Sequence, residues 1–373
     1  MRTVRRLFYA DIVWSVVFVA AAFLSLMLFI DVAEGLGGKR NPTAMRAVVA
    51  SVLQAPGHLY ELAPIAVLIG TIYALARLAQ SSEYTILRTG GLGPGRALRL
   101  LGTLGLSFGL TTFLVGDYLA PFSEQTLSRL RLDSRGDYRA GTAGVWLKDR
   151  QRRDDGEHSF AVSIGRARAG GVLQDVRIFE FGKDGQLLQR IAAANAEVAN
   201  DSRWTLSDVT VSRWTPPAAA ASGAGSAPSV GEEREATAVW RSGLSPKVVA
   251  AALLPSSTMS TLELRRYIDH LALNDQAAQQ QEIQFWKRAL YPFACVVMMA
   301  LALPFAYLRA RSGGIHLKVF GGIMLGISFV LLNNVAGHLG VLRGWTPWIV
   351  AAAPSLFYLL LSLAAFGWLV RFR

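Results

Sequence analysis

Residues 12–30 read IVWSVVFVAAAFLSLMLFI, nineteen side chains without a single charge. About 20 apolar residues in an α-helix cross a hydrocarbon core of roughly 30 Å, so this stretch predicts a membrane span. Five more stretches reach comparable length, at 59–78, 100–116, 289–308, 319–337 and 349–370. Only the second carries charges, Glu61 and Arg77, near its ends where long side chains reach the interface. Three spans precede a long polar interval and three follow it. The whole chain agrees: of 373 residues 52% are apolar and 17% charged, with a mean hydropathy of +0.33, well beyond an ordinary soluble domain. Arg2, Arg5 and Arg6 before span one resemble the basic start of a signal peptide, but nineteen apolar residues exceed a signal core of about 7–15. Span one is therefore read as retained.

The formal net charge of +12 suggests nucleic acid until it is located. Residues 121–285 hold 20 basic and 20 acidic side chains, so the interval is neutral and the excess hugs the spans. Arg2, Arg5 and Arg6, then Arg77, Arg88, Arg96 and Arg99, then Arg309, Arg311 and Lys318, and finally Arg371 and Arg373 occupy four places that the positive-inside rule makes cytoplasmic. Both termini fall inside the cell, and the interval falls outside it, which in a bacterial cell is the periplasm. Lys39, Arg40, Arg46, Lys287 and Arg288 are the exceptions, placed at the outer edge of the bilayer. They either rest in the interface or meet an anionic ligand.

Within the interval, 144–147, 159–164, 176–181, 187–191 and 203–211 are short runs rich in Val, Ile, Phe and Trp, and Gly182-Lys183-Asp184-Gly185 closes a hairpin between two of them. That pattern predicts a small all-β, jelly-roll-like domain inserted between helices three and four. Residues 216–233, rich in Ala, Gly, Ser and Pro, read as a disordered insertion. Ser260 and Glu263 form a capping box that opens a return helix over 260–274. Before span two, Asn41 and Pro42 start a helix in which Met45, Val48, Val49, Val52 and Leu53 share one face, read as a helix lying on the outer membrane surface. The domains are thus 1–120, 121–285 and 286–373.

Chemistry is sparse. No GxxxxGK[ST] loop occurs, so ATP is not bound in the P-loop manner. His58, His158, His270, His316 and His338 are far apart, the lone Cys295 excludes a disulfide within the chain, and no metal site or cofactor is expected. Gly105-Leu106-Ser107-Phe108-Gly109 matches the GxSxG nucleophile motif, which needs a sharp strand-to-helix turn. Inside an apolar span it reads instead as a small-xxx-small packing face, repeated at Gly322 and Gly326. No span carries a central titratable residue of the sort ion-coupled carriers use. Asn333 and Asn334 read as helix-to-helix hydrogen bonders. If the chain moves a cargo, a partner supplies the energy, and an apolar cargo fits best. A membrane scaffold or receptor that binds a protein through the β-domain is the alternative, and a lipid enzyme would need a polar constellation beyond the isolated Glu61, Asp117 and His338.

Leu78-Ala79-Gln80-Ser81-Ser82-Glu83-Tyr84, followed by Arg88-Thr89-Gly90-Gly91, resembles the coupling segment of the LptF/LptG family, the permease subunits of the bacterial lipopolysaccharide exporter. Gly144-Val145-Trp146-Leu147-Lys148-Asp149 is similar to the family's GLWAKDG, with Arg150 in place of the last glycine, and 292–305 resembles its span-four pattern. The resemblance covers essentially the whole chain and is closer to the LptG branch. It implies a Gram-negative inner-membrane exporter in which this chain pairs with an LptF-like paralogue above an LptB-like ATPase dimer. An LptC-like single-span protein completes the assembly, and ATP and Mg are bound by the ATPase rather than here. The coupling segment, about 78–96, implies ATPase docking through Ser82, Glu83, Tyr84, Ile86, Leu87, Arg88 and Gly90. Lipid A phosphates become the ligand expected for Lys39, Arg40, Arg46, Lys287 and Arg288. Where the family's LptG members carry a lysine near the outer end of span one, this chain has Asp31.

Overall fold

The computed structural model describes residues 2–37, 44–81, 94–135, 138–139, 144–153, 156–168, 171–199, 201–214, 230–253, 259–274, 276–307 and 315–371. The chain divides into two compact units, residues 1–124 with 260–265 and 279–373, and residues 125–259 with 266–278.

Among the described residues the first unit holds six helices long and apolar enough to cross a membrane. They are α1 (Arg2–Gly37), α2 (Ala44–Gln80), α3 (Pro94–Leu114) continued by a π-helical turn (Val115–Leu119), and α7 (Gln279–Tyr307), α8 (Ile315–Arg343) and α9 (Pro347–Arg371). A helix is the form in which such segments satisfy every backbone group without water. α2 is the most enclosed, with 72% of its membrane window buried against 17% for α1. Leu68, Ile72 and Leu75 of α2 meet Ile12 and Val16 of α1, Leu101 of α3, Met298 and Met299 of α7 and Phe329 of α8 in one core. Glycines set the closest approaches. A Cβ at Gly70 would lie 2.5 Å from the Cα of Val16, and one at Gly109 would lie 2.5 Å from the carbonyl oxygen of Pro292. Gly322 and Gly326 face Ile72 and Ile65, as the small-xxx-small reading expects.

One expectation is corrected here. Residues 44–53 do not form a separate surface helix: they are the first turns of α2, which runs unbroken through Pro56 and Pro64, while Asn41 and Pro42 lie outside the described residues. Neighbouring helices tolerate the proline breaks. Ala47, buried on this segment, packs against Gly35 of α1, where a Cβ would come within 3.1 Å of the Ala47 Cβ.

The second unit is built on one antiparallel sheet: β1 (Tyr138–Arg139), β2 (Val145–Arg153), β3 (Gly156–Ala167), β4 (Leu173–Phe181), β5 (Leu187–Val198), β6 (Arg203–Trp214) and β7 (Val230–Arg241). From β3 to β7 each strand pairs with the next in sequence, and β1 and β2 both pair with β3. The hairpin at 182–185 closes as read, with the Gly185 N–H donating to the Gly182 carbonyl at 2.9 Å and Gly185 at φ 74°. In a flat sheet β3 and β7, four positions apart, would stand about 19 Å from each other. Yet the rings of Phe160 on β3 and Trp240 on β7 are 5.6 Å apart. The sheet therefore curls until its inner face packs on itself, which gives the jelly-roll-like core of Leu147, Phe160, Val162, Ile178, Trp204 and Leu206. The low-complexity stretch is shorter than 216–233: residues 230–233 belong to β7, paired with Val211 to Trp214, because a neighbouring strand supplies the ladder that composition does not reveal. Residues 215–229 lie outside the described residues. α4 (Ala120–Arg135), α5 (Pro246–Leu253) and α6 (Thr261–Leu273) complete the chain. At the start of α6 the Ser260 N–H donates to Glu263 Oε2 at 2.9 Å, and the Glu263 N–H returns a bond to Ser260 Oγ at 3.3 Å.

Candidate functional site

Within the first unit, polar side chains gather at the two ends of the spans. At the end carrying the α1–α2 connection, Asp31 of α1 meets His58 of α2 with Oδ2 and Nε2 2.8 Å apart. The rings of Tyr60 and Tyr291 lie 4.5 Å apart, and the Tyr291 hydroxyl donates to the Glu61 carbonyl at 2.7 Å. The π-helical turn makes room for them: a Cβ at Gly116 would sit 2.2 Å from the Tyr60 ring. Asp117, in the same turn, accepts the Thr261 N–H at 2.6 Å and so caps α6. Single π turns of this kind recur at functional sites.

The basic residues expected to meet a ligand there do not share one direction. Lys287 Nζ donates to the Asn333 carbonyl on α8 at 2.9 Å, so the Asn333 main chain rather than its amide forms the interhelical bond. Arg288, one residue and about 100° further round α7, lies in electrostatic range of Tyr60 and Asp117. Arg46 is exposed on the first turn of α2. Lys39 and Arg40 lie outside the described residues.

At the other end, Ser82, Glu83, Tyr84, Ile86, Leu87, Arg88 and Gly90 also lie outside the described residues, but the helices on both sides of them are placed. Arg77, in the last turn of α2, pairs with Asp11 of α1 at 2.8 Å. Tyr9 of α1 donates its hydroxyl to the Leu100 carbonyl at 3.2 Å and lies 2.7 Å from Thr103 Oγ1, both on α3. Sequence reading passed over Asp11 and Tyr9. A signal exists in the spacing: Asp11 and Asp31 are 20 residues apart and His58 and Arg77 19, so two antiparallel helices match acid to base at points about 30 Å apart, near the two faces of a bilayer.

No nucleophile elbow forms at the GxSxG match. Ser107 sits within α3 and donates to the Leu104 carbonyl at 2.7 Å, while a Cβ at Gly105 would come 3.0 Å from the Val296 Cα. Among the described residues no group of three or more His, Cys, Asp or Glu is placed to hold a metal.

In the second unit the motif at 144–149 has a structural explanation. Gly144 takes φ 72°, with a Cβ there only 2.9 Å from the Ile164 carbonyl oxygen, so glycine alone fits. Leu147 enters the core, Trp146 stacks on Phe179 at 5.8 Å on the outer face, and Asp149 is buried. Asp149 Oδ2 accepts from Ser242 Oγ at 2.7 Å, the Gly243 N–H at 2.9 Å and Gln151 Nε2 at 2.9 Å. Elsewhere in the sheet, His158 and Glu180 form a buried pair at 2.7 Å, to which Gln189 adds a bond.

Residues 6–368 match the family described as "Lipopolysaccharide export system permease LptF/LptG". The chain is similar to the lipopolysaccharide export system permease protein LptG of Escherichia coli strain K12, 25% identical over 349 residues that cover 93% of this chain and 92% of that protein. It is also similar to the protein of the same name from Haemophilus influenzae, 26% identical over 327 residues, 87% of this chain and 86% of that one.

Proposed function

Since the chain belongs to the LptF/LptG family of lipopolysaccharide export permeases, we propose that it is the LptG-like permease subunit of an ATP-driven exporter. It extracts lipopolysaccharide from the inner membrane and passes it to a periplasmic bridge. It pairs with an LptF-like paralogue, sits above an LptB-like ATPase dimer that binds ATP and Mg, and works beside an LptC-like single-span protein. The termini are cytoplasmic and the β-domain periplasmic, a placing supported by the arginine-rich stretches around 77–99 and 309–318. The observation that carries the reading is one family match running through all six spans and the inserted β-domain. Bare apolar spans without central charge suit a lipid cargo driven by a separate motor.

Two sets of residues acquire roles on this reading. Glu83 and its neighbours Ser82, Tyr84, Ile86, Leu87, Arg88 and Gly90 form the segment that docks on the ATPase. Lys39, Arg40, Arg46, Lys287 and Arg288 supply the outer positive charge that meets lipid A phosphates, where a charge-assisted contact is roughly twice as strong as a neutral one. The test is depletion of the chain in its host followed by membrane fractionation. New lipopolysaccharide accumulating in the inner membrane, rescued by the wild type and not by Glu83→Ala, supports the reading. Normal delivery to the outer membrane under depletion overturns it.

A further inference from the structure

α1 runs from Arg2 to Gly37, and from Arg2 to Glu34 it contains neither proline nor glycine. One stripe of its cytoplasmic half, Phe8, Ile12 and Val16, is buried in the core. At about 100° per residue, Tyr9 and Asp11 flank that stripe on opposite sides. Asp11 reaches α2 through Arg77, three residues before that helix ends at Gln80. Tyr9 reaches α3 through Leu100 and Thr103, within the first three turns after its start at Pro94. One short piece of α1 therefore grips both helical arms of the connection that carries Glu83. The opposite face of α1 presents Trp14, Val17 and Phe18 at 74%, 47% and 72% exposure, uncovered by this chain.

We propose that Tyr9 and Asp11 are positioning residues that convert displacement of the α2–α3 connection into displacement of the first span. This deepens the export reading and rests on it. The Asp11–Arg77 pair is partly exposed, at 29% and 49%, and exposed ion pairs are too weak to hold a fold together. Its geometry serves a different purpose, which is to make an unbroken helix follow the arm beside it. Phe8 and Ile12 already hold α1 in place by packing, so the polar grips add direction rather than stability. A straight helix carries that movement along its length, about 30 Å from Asp11 to Asp31 at the other end.

The experiment uses the full permease–ATPase complex in proteoliposomes. It measures ATPase retained on purification, ATP hydrolysis, and lipopolysaccharide released per ATP. Asp11→Arg is expected to keep the ATPase bound and hydrolysing while release per ATP falls about fivefold or more, the range of ordinary coupling energies. Adding Arg77→Asp, which restores the pair with its charges exchanged, is expected to recover most of the loss, and Tyr9→Phe to lower the same ratio. Unchanged release per ATP in Asp11→Arg overturns the proposal. Loss of the ATPase on purification overturns it too, since the pair then serves assembly, and so does failure of the exchanged pair to recover release. A wild-type complex that hydrolyses ATP and releases no lipopolysaccharide sinks the export reading itself, a result separable from all of these.

Discussion

The Gly243 N–H points at Asp149 Oδ2 from 2.9 Å, and a Cβ at Gly243 would fall 2.9 Å from the other carboxylate oxygen. The two residues lie on opposite margins of the curled sheet, Asp149 on β2 and Gly243 just past β7, so this contact fastens one edge strand to the other. Gln151 strengthens the clasp by donating to the Arg241 carbonyl at 3.0 Å. Asp149 is 3% exposed, and a buried carboxylate accepting three bonds cannot be replaced cheaply. Asp149→Ala takes the charged acceptor away from the Ser242 O–H and the Gly243 N–H and is expected to cost the β-domain about 1.5–3 kcal/mol, the usual worth of hydrogen bonds to a charged group. Hydrogen exchange on the intact protein should show amides of 230–244 losing protection, with Asp149→Asn intermediate. Equal protection in wild type and Asp149→Ala contradicts the clasp.

Helix packing gives a sharper steric test. At Gly70 the obstacles to a side chain are the Val16 Cα and N, at 2.5 and 2.7 Å, and backbone cannot swing aside. At Gly322 the nearest atom is the Ile72 Cδ1 at 2.6 Å, the far end of a flexible side chain. Gly70→Val should therefore cost about 1–3 kcal/mol and push α1 from α2, while Gly322→Ala should cost less, as overpacking that can relax does. Thermal denaturation in detergent, side by side, gives the order. Gly322→Ala as damaging as Gly70→Val would contradict the packing described.

The spans were legible because a block of about 20 apolar residues has few alternatives, and their order around the inserted domain followed directly. The start of α2 was not, since Pro56, His58 and Glu61 look like the edge of a span until His58 is seen to meet Asp31 of α1 within one unbroken helix. β7 escaped notice for the converse reason. Its burial is confined to Trp240, and Glu232, Glu233 and Glu235 erase the apolar alternation that marks an inner strand. The only sequence trace of the Asp11–Arg77 pair is the matched spacing of acids on α1 and bases on α2, which gains meaning once the two helices pack. The residues assigned to ATPase docking were reached through family resemblance, whereas Asp149 of the second motif proves to be a structural clasp.

Acid sensitivity of the second unit is expected at His270. Burial lowers its pKa below the ordinary 6.5, with the negative charge of Asp149 opposing the shift. Asn274 Nδ2 lies 3.3 Å from His270 Nε2, a contact suited to a neutral ring that accepts. A base with a depressed folded pKa contributes stability that is fully present above the unfolded value of about 6.5 and is lost as pH falls through the folded value. The half-buried position keeps the effect small. Melting curves of wild type and His270→Gln from about pH 8 to about pH 5 should converge as the wild type alone loses stability. Parallel curves throughout that range would remove His270 from the account.

Lys287 offers the last test, because its surroundings decide whether its charge is held or free. Its ammonium donates to the Asn333 carbonyl and lies where a Cβ at Gly337 would come within 2.5 Å. Gly337→Ala must move that ammonium, and the move is easy because only the end of a long chain shifts. The exchange also adds helix propensity of about 1 kcal/mol, while the displaced bond, donated by a charged group, is worth about 1.5–3 kcal/mol. The two partly offset, so the melting temperature should fall only slightly although the lysine has been released. Acylation of the intact protein by an amine reagent, with Lys287→Met as the blank, reads the release directly. A faster reaction at Lys287 in Gly337→Ala shows that the α8 carbonyl restrains this charge in the resting protein. An unchanged rate with an unchanged melting temperature shows that the ammonium already faces water and that Asn333 does not hold it.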